Sequence, residues 1–99
     1  MQTFVMLTRL VRGRQEADTP AVRLEQDVMR RVEAECPDVT WTASYALLGG
    51  ADYLDIFQAA DCEAAMKVAL IVRSSGHATT ETWPATDWER FKVLVQQMA

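Results

Sequence analysis

One histidine, two cysteines, three prolines and four glycines are spread over 99 residues, and each scarcity removes a class of chemistry. With His77 the only histidine, a multi-histidine metal centre is excluded, and no Cys, Asp or Glu pair beside it has zinc spacing. Cys36 and Cys62 are too few for a disulfide scaffold and lack the C-x-x-C spacing of zinc and redox motifs, so they read as reduced packing residues. There is no G-x-S-x-G, no Ser/His/Asp set with supporting spacing, and no phosphate loop, because Gly49-Gly50 falls in a hairpin rather than at a strand-to-helix turn. No apolar run approaches the length of about 18 residues that spans a bilayer, and the N-terminus lacks the order of a secretory signal. The expectation is a cytoplasmic protein with no metal, no cofactor and no membrane partner.

Basic residues are also in deficit, with ten Lys and Arg against fourteen Asp and Glu and a net charge of −4. A nucleic-acid binder must gather enough positive charge to displace counterions from phosphates, so nucleic acid is not an expected partner. The charge is uneven: residues 1–31 carry six arginines against four acids, and residues 32–99 carry four bases against ten acids. The basic end can receive an anionic small molecule or a partner's acidic face, but a solvated loop and helix face accounts for it at least as well.

What is present is ordinary globular material, 49% hydrophobic and 24% charged, in a length that holds one core. Residues 1–99 therefore form a single domain. Residues 3–10 (TFVMLTRL) have apolar side chains at both parities, the pattern of a strand covered on both faces. Residues 12–18 read as a loop. Thr19-Pro20 then offers an N-cap followed by proline at the first helical position, and Ala21, Leu24, Val28 and Val32 form the apolar stripe of a helix that Pro37 ends. Residues 39–48 (VTWTASYALL) alternate as a second strand with Val39, Trp41, Ala43, Tyr45 and Leu47 on one face. Gly49-Gly50 turns the chain into a third strand over residues 53–59.

Asp61 caps a second helix with apolar positions Ala65, Val68, Ala69 and Val72, widened by Met66, Leu70 and Ile71, and Gly76 ends it. Residues 77–83 (HATTETW) form a fourth strand halted by Pro84. Thr86 and Glu89 have capping-box spacing for a terminal helix whose stripe, Trp88, Phe91, Val95 and Met98, is expected to dock on the domain.

The order β-α-β-β-α-β plus one helix is the ferredoxin-like split βαβ arrangement of the α+β class, a four-stranded antiparallel sheet with helices on one face. Large apolar groups nevertheless occupy both faces: Phe4 and Met6 oppose Val5 and Leu7, and Leu54 and Ile56 oppose Tyr53 and Phe57. The simplest cover for the second face is the same face of another copy, so a homodimer, or a multiple of dimers, is expected.

Few residues can carry chemistry. His77, Glu81 and Trp83 share a parity in the fourth strand, with His77 and Glu81 about 13 Å apart along it. They can line one pocket as a catalytic pair, His77 as acid or base and Glu81 as an orienting carboxylate, or lie at a frayed end and in solvent. Asp55 is unusual inside Leu54-Asp55-Ile56-Phe57, a central strand where an unpaired carboxylate is costly; it reads first as a structural pair with Arg9 of the neighbouring first strand and second as a site carboxylate with a raised pKa. Tyr45 lies on the apolar parity and reads as a packed ring with a bonded hydroxyl. Asp55, Arg9, Tyr45 and Trp83 are the candidate ligand-binding residues.

The segments YALLGGADYLDI (45–56) and GHATTETWP (76–84) resemble the GYD-domain family, small bacterial and archaeal proteins of the dimeric α+β barrel type. Gly49, Gly50 and Asp52 match the family's Gly-x-Tyr-Asp hairpin, with Ala51 in the place of the tyrosine, and Glu81 between Thr80 and Thr82 matches its Thr-Glu-Thr. The resemblance implies a dimeric α+β barrel without an established activity. Related barrels include cofactor-independent monooxygenases, isomerases, haem enzymes and ligand-sensing modules. Two readings follow: a small-molecule enzyme or binding protein with a pocket beside the sheet, or a non-catalytic oligomeric or sensory module.

Overall fold

The computed structural model describes residues 1–11 and 21–99, with the backbone alone at 21 and 22. The expected loop at 12–18 and the Thr19-Pro20 cap lie outside the described residues. Seven elements follow in order: β1 (Gln2–Leu10), α1 (Ala21–Glu35), β2 (Thr40–Ala46), β3 (Tyr53–Ala59), α2 (Cys62–Ser74), β4 (Ala78–Ala85) and α3 (Trp88–Gln97). The strands pair antiparallel in the order β2-β3-β1-β4, so β1 and β3 are central. This is the ferredoxin-like α+β architecture that the element order implies.

Strand alternation assigns the two faces. On one, Phe4 and Met6 of β1 meet Phe57 and Ala59 of β3, and the stripes Leu24, Val28 and Val32 of α1 and Ala65, Val68, Ile71 and Val72 of α2 close over them. Phe57 is stacked between Phe4 and Trp41, with ring centroids 5.7 and 5.2 Å away. Complete burial of a side chain such as Phe57 contributes about 1.5–3 kcal/mol. Arg31 ties the two helices together, donating to Ser74 Oγ at 2.7 Å. In α2, Met66 and Leu70 turn outward while Ile71 joins the core, so the stripe is narrower than its composition suggests.

The second face carries Val5, Leu7 and Arg9 of β1, opposite Ile56 and Leu54 of β3 and opposite Trp83, Glu81 and Thr79 of β4. No described helix covers it.

Four expectations need correction. The β2 register shifts between Trp41 and Ala43: Trp41 pairs with Phe57, yet Ala43 pairs with Ile56. One extra residue, Thr42, reverses the parity, so Trp41 and Ser44 face the helices while Ala43 and Tyr45 face away; simple alternation had put Trp41, Ala43 and Tyr45 together. Second, β4 starts after His77 and continues through Pro84 to Ala85, because an edge strand tolerates a residue without an N–H. Third, α3 is capped by Asp87 rather than Thr86; the Asp87 carboxylate accepts from the Glu89 and Arg90 amides at 3.1 and 3.3 Å. Fourth, α3 buries none of its residues, and Trp88 and Phe91 stack on each other instead of on the domain. The ends of α2 are as expected: Asp61 accepts from the Ala64 amide at 2.9 Å, and Gly76 ends the helix at φ +77°, a left-handed conformation that favours glycine.

The position of Phe57 in the stack gives a test. Phe57→Ala is expected to cost about 3–5 kcal/mol in urea unfolding, the range for deleting a fully buried ring. A loss below about 1 kcal/mol would place the centre of the core elsewhere.

Candidate functional site

A cleft of about 260 Å³ opens between α1 and the β2–β3 edge of the sheet. Its walls are mostly apolar: Met6 of β1, Leu24, Val28 and Met29 of α1, Trp41 of β2 and Val72 of α2. Polar residues line it from four elements, Thr8 from β1, Asp55 and Tyr53 from β3, Ser44 from β2 and Glu25 from α1. An apolar recess with a few convergent polar groups is the usual form of a small-molecule site.

Asp55 is the centre of the arrangement. The Trp41 indole Nε1–H donates to Ser44 Oγ at 2.9 Å, and the Ser44 hydroxyl donates to Asp55 Oδ1 at 2.6 Å. An indole N–H can only donate, so the direction of the relay is fixed and ends on the carboxylate as acceptor. The β2 bulge makes this possible by bringing positions 41 and 44 to one face. Burial pushes the Asp55 carboxyl above its ordinary range; the hydrogen bonds of Ser44 and Trp41 oppose that shift, and the negative charge of Glu25 adds to it. Tyr53 is likewise raised, by burial and then by the negative charge of Asp52.

The residues expected from the sequence separate into three places. Asp55 lies in the cleft and Tyr45 borders it, but Tyr45 is 58% exposed rather than a packed ring. The expected Asp55–Arg9 pair does not form: the two strands are neighbours, but Arg9 has the opposite parity and points away from the helices. There its Nε donates to the Gly50 carbonyl at 2.7 Å and its guanidinium lies 3.8 Å from the Glu81 carboxylate. Glu81 and Trp83 belong to this outer face, Trp83 being 56% exposed. His77 sits apart, in a hollow bordered by Arg23, Asp27 and Arg31 of α1. Its amide donates to Ser75 Oγ at 3.1 Å, and its carbonyl accepts from the Val11 amide at 2.8 Å. His77 and Glu81 therefore do not share a pocket. Among the described residues no group of three His, Cys, Asp or Glu is placed to hold a metal ion.

Sequence reasoning missed Trp41, Ser44, Tyr53 and Glu25. A bulge is not visible in alternating small and aromatic residues, and without it Ser44 is assigned to the wrong face. The spacing Trp-x-x-Ser was available as a signal, but only a register can show that it meets Asp55.

Asp52 has a different task. Its carboxylate accepts from the Leu10 amide at 2.7 Å, its amide donates to the Thr8 carbonyl at 2.8 Å, and its carbonyl accepts from the Leu47 amide at 2.9 Å. The hairpin aspartate is thus a clasp that fastens the β2–β3 turn to the end of β1.

A four-stranded antiparallel sheet with two helices on one face, and a recess between one helix and the sheet edge, defines a small ferredoxin-like α+β domain. The chain belongs to the GYD-domain family, whose model matches residues 4–95. Among solved structures it is similar to the crystal structure of Mycobacterium tuberculosis Leucine response regulatory protein (LrpA), with a TM-score of 0.58 at 14% sequence identity. The match covers 87% of this chain and 51% of that one, so the chain spans about half the length of its neighbour and shares a fold with it. No curated protein matches the sequence.

The raised Asp55 pKa predicts a sign. A carboxyl whose folded pKa exceeds its unfolded value contributes stability that is fully present below the unfolded pKa and lost as pH rises through the folded one. Asp55→Asn, which keeps an acceptor for Ser44, is expected to melt higher than the wild type at pH about 7, with the gap shrinking as the pH falls towards about 4. A gap independent of pH, or a variant less stable at neutral pH, would show that the charge is not strained.

Proposed function

We propose that this protein is a small-molecule-binding homodimer acting in the cytoplasm, with the ligand held in the cleft against Asp55 and the outer sheet face joined to that of a second copy. The observation that carries the first part is the Trp41–Ser44–Asp55 relay: a carboxylate oriented by the Ser44 hydroxyl, which the Trp41 indole holds in turn, short of counter-charge, inside an apolar recess. Such a group is costly to the fold, and strained titratable groups in clefts concentrate at functional sites. If the cleft also performs cofactor-independent chemistry, Asp55 is the proton acceptor it offers, since His77 and Glu81 are divided between other surfaces. Free thiols at Cys36 and Cys62 suit a reducing compartment.

The dimer reading is supported by the chemistry of the outer face, where Val5, Leu7, Leu54 and Ile56 form an apolar centre flanked by Trp83 and by the Arg9–Glu81 pair. A self-complementary face of this kind matches the requirement of a two-fold interface. The apolar stripe of α3 adds surface that its own domain leaves uncovered. The same placement favours the second reading in one respect: Arg9, Glu81 and Trp83 serve assembly rather than a site.

Two measurements test these parts separately. A fragment screen followed by two-dimensional amide NMR is expected to shift the signals of Glu25, Ser44 and Asp55, and Met29→Trp, which fills the cleft, is expected to abolish those shifts. Shifts confined to other surfaces would overturn the cleft. Sedimentation at micromolar concentration is expected to give about twice the 11.1 kDa of one chain, and Leu7→Arg on the outer face to give the single chain. A wild type that sediments as one chain would overturn the dimer.

A further inference from the structure

The charge of the cleft narrows what can bind there, an inference that rests on the cleft being the binding site. Every charged side chain that lines it among the described residues is acidic, Asp55 from β3 and Glu25 from α1. Of the donors that line it, Ser44 and Trp41 are already committed to the relay, in which the Ser44 hydroxyl alone reaches Oδ1 of Asp55, and the hydroxyls of Thr8 and Tyr53 do not bond the carboxylate. No described residue donates to Oδ2. An anionic ligand would face two carboxylates in a partly dry recess, and a ligand whose polar group only accepts hydrogen bonds would leave Oδ2 unmatched. A cationic donor satisfies both demands, because a charge-assisted hydrogen bond to a half-buried carboxylate is about twice as strong as a neutral one.

The remaining walls define the rest of the molecule. Leu24, Val28, Met29 and Val72 form a greasy lining, and a recess of about 260 Å³ admits one ring or one branched chain beside the charged head. Methionine lining adapts to such a group without imposing a single shape.

We propose that the ligand of the Asp55 cleft is a small apolar monocation, an alkyl or arylalkyl amine whose ammonium bonds Oδ2 of Asp55 in the field of Glu25. The amine supplies the positive charge that the carboxylate pair lacks, and its hydrocarbon part displaces water from the α1 side of the sheet.

The test compares three molecules of similar shape by calorimetric titration at neutral pH: phenethylamine, phenethyl alcohol and hydrocinnamate. Phenethylamine is expected to bind about ten-fold tighter than the alcohol, and hydrocinnamate more weakly than either, since one partly buried charge-assisted bond is worth about a factor of ten. Asp55→Asn, checked for folding by circular dichroism, is expected to erase the preference for the amine while leaving the alcohol unchanged. Alcohol or hydrocinnamate binding as tightly as the amine, with Met29→Trp abolishing it, would overturn the amine and leave the cleft standing. If no molecule of the three binds but neutral fragments still shift the amide signals of Ser44 and Asp55, the amine again falls alone. Failure of both the titrations and the fragment screen would overturn the cleft and the amine together.

Discussion

Thr42 is one residue more than the pairing of β2 with β3 can accommodate, and the site depends on how that excess is absorbed. Before the bulge, Trp41 stands opposite Phe57 and stacks on it; after the bulge, Ser44 stands opposite Asp55. In a regular strand positions 41 and 44 point to opposite faces. The inserted residue brings both to the helix side, where the indole N–H reaches the hydroxyl and the hydroxyl reaches the carboxylate. The same ring of Trp41 is thus part of the core through its face and part of the cleft through its edge. Packing and the geometry of the cleft are coupled there, and the core stack sets the position of the relay.

The central placement of β1 and β3 then divides the chemistry of the molecule between two surfaces. Successive residues of β3 alternate between them, so Asp55 enters the cleft while Leu54 and Ile56 go to the outer face. Arg9 and Glu81 meet across β1 and β4 on that outer face, with the Arg9 Nε also holding Gly50 in the hairpin. The pair is half exposed at 3.8 Å, a geometry whose contribution in water is small, and its value rises only if another surface excludes solvent from it. Asp52 on the adjacent turn fixes the same hairpin through backbone amides. The turn is therefore held by two independent anchors, one polar and central, the other ionic and peripheral.

Much of this was legible in the residues and part was not, for reasons that differ by element. Periodicity located α1, α2 and the four strands because each buries a contiguous stripe or an alternating face, and Asp61 and Gly76 mark the ends of α2 by local chemistry alone. The uncovered outer face followed from large apolar residues at both parities of the central strands. Register was the missing quantity. A neighbour in strand order is a contact only when parity agrees, and Arg9 with Asp55 fails on parity alone. His77 was misplaced because β4 starts one residue later, which frees the histidine from the face it would share with Glu81. The stripe of α3 was read correctly as apolar, but amphipathicity states that a helix needs a partner and does not say which chain supplies it.

The cost of Asp55 is the remaining physical question, because a half-buried carboxylate beside a second acid is an expensive choice for a domain of this size. An apolar residue at position 55 would extend the packing of Met6 and Val72 and close the recess. An asparagine would keep the Ser44 hydrogen bond without the charge. The sequence instead places the charge where only one oxygen is matched from within the protein, and spends an indole and a hydroxyl on orienting it. Orientation of that kind contributes little to folding, since Ser44 and Trp41 would find water at an exposed strand edge. For the proposed binding it would count for more, because a carboxylate fixed in advance does not lose rotamer freedom when a ligand arrives. The strain and the preorganisation are then two aspects of one arrangement, a local destabilisation held in place by the Phe4–Phe57–Trp41 stack beneath it.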